Sequence, residues 1–277
     1  MVPPHLGWLV NTGEAIQTAC GKTVEVWELQ HKEDPAVLSA WATHFRGHYA
    51  SDAKADALRG KKSRKDYFET IKFPSKTSNL GPPTRAGDFA EILMSDYLEW
   101  KLGYWVPRER WNSKPTRDES VKGCDVVGFK IFDSKQATSK DVLAVLESKA
   151  ALSKHEGNRL QDAVNDSAKD HFRIDESLNF LKQRLLEQGL TAEAARVGRF
   201  QNPVDLPYKE SYAAAVLISS EYIDAKILAT TDSIKLPGKK KPGKGHPKAS
   251  DLMFVVIRGP ALMDLVHELY RRAADEA

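Results

Sequence analysis

Cysteine is scarce in this chain: Cys20 and Cys124 are the only two among 277 residues. Two thiols cannot build a disulfide framework, and with no CxxC and no Cys-His pair at ligand spacing they offer no structural zinc site. Long apolar runs are also missing. None approaches the roughly 20 residues that span a bilayer, and the N-terminus, Met1-Val-Pro-Pro-His-Leu6, lacks the basic and apolar stretches of a secretory signal. The chain is therefore expected to stay in the cytoplasm. No self-similarity recurs at repeat spacing, which argues against solenoids and propellers. The eight histidines form no HExxH and no serine sits in a GxSxG elbow, so zinc-protease and serine-hydrolase chemistries lose their usual carriers and Cys124 reads as a packing residue. Charge of one sign is lacking as well: 41 Lys+Arg against 38 Asp+Glu leave only +3, a weak global argument for nucleic acid.

What is present is the composition of a soluble globular protein, 41% hydrophobic and 29% charged. The length suits one large α/β domain, or a modest domain with an extension. The near-neutral total hides two basic segments. Residues 52–76 carry eight Lys and Arg against four acids, and residues 235–248 carry six lysines and no acid. The remainder of the chain is therefore acidic. In the lysine-rich segment, Gly238 to Lys244 has P-loop spacing, but Gly245 stands where a Ser or Thr would bind Mg²⁺ and Pro247 forbids an immediate helix. Two readings stay open there: a solvated loop tip, or an arm whose Lys239, Lys240, Lys241 and Lys244 contact DNA phosphates.

Hydrophobic periodicity orders the rest. Val24–Leu29 alternates as a strand, and Pro35 opens a helix through Phe45. Asn79-Leu-Gly-Pro-Pro83 is a break, and the natural boundary between an α-rich N-terminal extension, residues 1–80, and a core, residues 81–277. Within that core the pattern predicts a helix over 84–102, a strand over 104–111, and strands over 121–132 and 141–149 joined by a polar turn. Helices over 158–170 and 176–196 follow, then strands over 212–219 and 252–257, then a closing helix over 261–274. The order implies an α/β fold with a mixed central sheet flanked by helices.

The chemistry concentrates on Asp141-Val-Leu-Ala-Val-Leu-Glu147-Ser-Lys149. So apolar a strand is buried on both faces, and a carboxylate and an ammonium two residues apart at its end share one face. In the preceding strand Asp125 opens another apolar run. A hairpin folded about residue 136 sets Asp125 opposite Glu147, with Lys149 on the same face. Two adjacent carboxylates repel unless a cation joins them, and oxygen ligands suit a hard divalent ion. Glu91 interrupts an apolar stripe of the 84–102 helix and is a further candidate acid.

Helix acid, then Asp, then Glu-x-Lys on successive strands resembles the PD-(D/E)xK nuclease superfamily, here Glu91, Asp125 and Glu147-Ser148-Lys149, with Cys124 where that pattern carries Pro. More closely, Gly87–Glu99, Gly123-Cys-Asp-Val-Val-Gly128 and Leu146-Glu-Ser-Lys149 are similar to the HamA family of the bacterial Hachiman anti-phage system, over roughly residue 84 to the final helix. The resemblance implies a restriction-endonuclease-like core and an endonuclease that hydrolyses DNA phosphodiesters. It implies Mg²⁺ or Mn²⁺ held by Asp125, Glu147, the backbone carbonyl of residue 148 and Glu91, with Lys149 orienting the attacking water. Gln161 then falls at a site-facing position of the next helix, with Lys154 and Arg159 near the phosphate. A helicase-like HamB partner is implied too. A catalytically inactive DNA-binding or helicase-docking subunit, and a stand-alone restriction-type endonuclease, are the alternatives.

Overall fold

A mixed six-stranded sheet in the order β1-β2-β6-β5-β4-β3 organises the chain. The structure is a computed structural model that describes residues 2–236 and 244–277. Its strands are β1 (Leu9–Gln17), β2 (Thr23–Leu29), β3 (Val126–Lys130), β4 (Val142–Ala151), β5 (Lys209–Ser219) and β6 (Met253–Gly259). Strands β2, β6, β5 and β4 run parallel to one another, while β1 and β3 lie antiparallel at the two edges. The inner strands are apolar almost throughout, as strands covered on both faces must be.

The helices are α1 (Pro35–Tyr49), α2 (Asp52–Leu58), α3 (Arg64–Tyr67), α4 (Gly81–Asp96), α5 (Arg159–Asp170), α6 (Ile174–Glu187), α7 (Thr191–Gly198), α8 (Ala225–Ala229) and α9 (Leu262–Asp275). One face of the sheet packs Leu146, Leu217 and Ile257 against α1, α4 and α9. The other packs Val145, Val216 and Val256 against α5, α6 and α7. Period-two alternation thus sorts each strand between two cores, and Glu147 and Lys149 share the side of Val145.

The expected 79–83 break is the start of α4. Gly81 fits because a Cβ there would meet the Ser75 carbonyl oxygen at 2.1 Å, and Pro82 and Pro83 occupy the first turn, where no N–H is needed. The helix runs on through a π-turn, Tyr97–Lys101. Residues 1–80 are not only α-rich: they supply β1 and β2, and β2 joins β6 in the same sheet. Two other expectations are corrected. Residues 104–111 form no strand: Trp105 makes a single bridge to Phe129, and Pro107 has no N–H to continue a ladder. The expected 176–196 helix is two, α6 and α7, parted at Gly189, whose φ of 75° ends α6 in the left-handed region.

Candidate active site

The β3–β4 pair has the register expected from the sequence: Val126 lies across from Leu146 and Val127 from Val145, so Asp125, one residue ahead of β3, faces Glu147. Asp125 itself stands outside the ladder, and its placement rests on local ties. Gly123 turns at φ 109° in front of it, where a Cβ would meet Ser177 Oγ at 2.7 Å, and the Cys124 N–H donates to Ser177 Oγ at 3.0 Å. Beyond Leu146 strand β4 has no β3 partner, and the freed Ser148 N–H donates to Asp125 Oδ2 at 3.1 Å.

Lys149 Nζ contacts Glu147 Oε1 at 2.6 Å and Asp166 Oδ2, on α5, at 2.7 Å. Burial opposes the lysine's charge, but Glu147 and Asp166 outweigh it and hold the ammonium above its ordinary range. Glu147 is pushed up to about 9, by burial first and the nearby Asp125 second, with Lys149 offsetting only part. Asp170, at the end of α5, is fully buried, and neither of its carboxyl oxygens has a hydrogen-bond partner. Arg173 comes no nearer than 3.9 Å. Burial and Asp125 push Asp170 up to about 7.

Glu91 is buried on α4, but it does not meet the other acids directly. Arg110 stands between them, its Nε 2.8 Å from Glu91 Oε2, its Nη2 3.0 Å from Asp125 Oδ1 and its Nη1 3.0 Å from the Cys124 carbonyl. Burial first, and Asp125 after it, push Glu91 up to about 8 although Arg110 pulls the other way: two acids share one guanidinium. Among the described residues only His5, His44 and Asp96 bring three metal-capable atoms within 4.8 Å of one another, so Glu91, Asp125 and Glu147 do not stand as a ready three-carboxylate set. The His5–His44–Asp96 group is already neutralised, since Arg108 Nη1 lies 2.8 Å from Asp96 Oδ1.

A cleft of about 760 Å³ opens beside these groups, at the carboxyl end of β4, lined among others by Asp125, Lys149, Lys154 and Arg159. Ligands of open α/β sheets commonly bind at that end of the strands. Gln161 is not on it: the side-chain amide bonds both ways with the Asp232 backbone and donates to Asn165, tying α5 to a loop. Cys124 is a buried thiol pushed up to about 12 by burial and by Asp170, in keeping with a packing role. Of the lysine-rich segment, Lys244 is exposed, while Lys239, Lys240 and Lys241 lie outside the described residues. The basic segment 52–76 spends several charges on ion pairs, Arg59 and Arg64 on Asp56 and Lys65 on Asp275.

Arg110, Asp166 and Asp170 were not expected from the sequence. Asp166 and Asp170 are one helical turn apart, a spacing that points both to one side of α5. Arg110 lies within the expected 104–111 strand, which does not form, and carries no pattern of its own. The donor set of Asp125 and Glu147 is all oxygen, and the unpartnered Asp170 beside it marks a place where acid is under-compensated; both fit a hard divalent cation.

Comparison with known proteins adds two findings. Residues 4–273 match the family described as HamA, so the match takes in the first 80 residues as well as the core. A Hachiman protein HamA from Bacillus cereus is 26% identical over 161 residues, 56% of this chain and 54% of that protein; the aligned part is about half the length of that relative.

Proposed function

The chain belongs to the HamA family, and on that premise we propose that it is a metal-dependent DNA endonuclease, the cytoplasmic effector of an anti-phage defence system, restrained by a helicase-like HamB partner. The observation that carries this reading is the register that sets Asp125 across from Glu147, with Lys149 on the same face, beside an open cleft. Asp125, Glu147 and the Ser148 carbonyl would hold Mg²⁺ or Mn²⁺. A cation there would polarise the scissile phosphate and lower the pKa of a bound water. Lys149, charged and fixed between Glu147 and Asp166, orients that water and stabilises the charge that develops on phosphorus-bound oxygen. Lys154 and Arg159 line the cleft and offer the strand its phosphate contacts, a sequence-independent and salt-sensitive attraction.

Supercoiled plasmid incubated with the purified protein should be nicked with Mg²⁺ and left intact with EDTA, and Glu147→Ala should leave it intact in both. Cleavage by Glu147→Ala at the wild-type rate would sink the assignment. The partner is tested by co-purification with the helicase: free protein should nick faster than the complex, and equal rates count against restraint.

A further inference from the structure

We propose that Arg110 is a positioning residue that orients Asp125, and that Glu91 serves as the hydrogen-bonded anchor of Arg110 and not as a ligand of the cation. The inference rests on the nuclease reading above and removes Glu91 from the ligands that the family resemblance implied. Three hydrogen bonds carry it, all from one guanidinium. Nη2 holds the Asp125 carboxylate at 3.0 Å, Nη1 holds the carbonyl of the residue before it at 3.0 Å, and Nε is anchored by Glu91 at 2.8 Å. The fork therefore grips the backbone and the side chain of successive residues just where the chain has not yet entered β3. With the Ser148 N–H on the other oxygen, Asp125 is clamped from both sides, leaving it little freedom except to face Glu147.

The three side chains are nearly closed off, Arg110 and Asp125 each 12% exposed and Glu91 9%. A guanidinium stays charged at any working pH, so Glu91 sees a permanent cation at hydrogen-bond distance. A second cation bound by the same carboxylate would be pressed against it. Lysine cannot replace this fork, because an ammonium is a point charge without the planar set of donors. Arg110 thus accounts for the burial of Glu91: this acid anchors the arm that reaches from the irregular 104–113 stretch to the start of β3.

The test is a double-mutant cycle on the full chain, read first by Mn²⁺ binding in calorimetry. If Glu91 acts only through Arg110, Glu91→Gln changes the Mn²⁺ dissociation constant by less than twofold once Arg110→Met is present. A tenfold or greater weakening in that background makes Glu91 a ligand and overturns the proposal. The second readout is plasmid nicking at saturating Mn²⁺, where affinity no longer matters. Turnover should fall at least tenfold in Arg110→Lys and in Arg110→Met, and wild-type turnover in either overturns the positioning role. Should Arg110→Met not fold alone, the neutral pair Glu91→Gln/Arg110→Met, set against Glu91→Asp/Arg110→Lys, carries the same comparison. Glu147→Gln separates the two ideas: if it binds Mn²⁺ as tightly as wild type, the cation site itself is wrong, whereas a failed cycle with Glu147→Gln inactive leaves the nuclease reading standing.

Discussion

Of the three buried acids on helix α4, Asp88, Glu91 and Asp96, the last two stand five positions apart and their surroundings differ in kind. Asp96 accepts from His5 Nε2 at 3.1 Å and His44 Nε2 at 3.0 Å and pairs with Arg108 at 2.8 Å. Burial alone would raise it, but the two histidine hydrogen bonds and Arg108 hold it well below the ordinary carboxylate range. Glu91 shares its one arginine with Asp125, and with Glu147 and Asp170 it is pushed the other way. The first acid is compensated and closes a joint between the N-terminal residues, α1 and α4. The others are left short of positive charge beside an open cleft. A fold keeps an under-compensated cluster only at a cost in stability, and such clusters gather at functional sites.

The comparison can be broken most strongly at Asp96. Asp96→Ala leaves Arg108 with Glu99 alone and strips His5 and His44 of their shared acceptor, and should cost about 3–5 kcal/mol in urea unfolding, as removal of one partner of a buried pair does; a loss under 1 kcal/mol would mean that the joint holds nothing. Next comes Lys149→Met, expected to lower nicking by about 100- to 1000-fold, the range for loss of one group that stabilises transition-state charge; nicking at the wild-type rate by the folded variant would remove Lys149 from the site.

Acidity should then separate the two regions by sign. Glu91, Glu147 and Asp170 have raised folded values, so their contribution to stability is complete below the unfolded carboxylate range and is lost as pH rises through about 7 to 9. Asp96 is depressed, so its contribution is present above that range and is lost as pH falls through its folded value. Metal-free protein should therefore lose urea stability from pH 6 to 9, and saturating Mg²⁺ should flatten that loss; a midpoint that is constant or rising in EDTA contradicts the account. The smallest effect is expected at Asp170. Asp170→Asn removes the repulsion with Asp125 and should stabilise the metal-free protein at pH 8 by about 1 kcal/mol, while reducing the thermal shift that Mn²⁺ produces. Destabilisation in EDTA would make Asp170 an ordinary core residue.

Much of the candidate site could be read in the residues because antiparallel pairing is arithmetic. A turn centred near residue 136 fixes who faces whom, and Asp125 across from Glu147 follows. Lys149 follows from period two. What period and spacing could not supply was the identity of the groups that arrive from elsewhere: Arg110 from a stretch without regular structure, and Asp166 and Asp170 from a helix whose approach to β4 depends on packing. Gln161 faced the wrong target for the same reason, since its amide found the Asp232 backbone. Strand β1 escaped notice because, as an edge strand, it exposes most of its side chains and shows little apolar alternation.

By itself the sequence determined the α/β class, the inner strands, most of the helices and the register of the acid-bearing hairpin, all set by local patterns of side chains. Only the tertiary structure decided that the first 80 residues complete the sheet, through a parallel pairing of Val24 with Phe254 across most of the chain. It also decided which acids are compensated. Compensation depends on charges brought within about 3 Å by packing, and chain order holds no record of that distance.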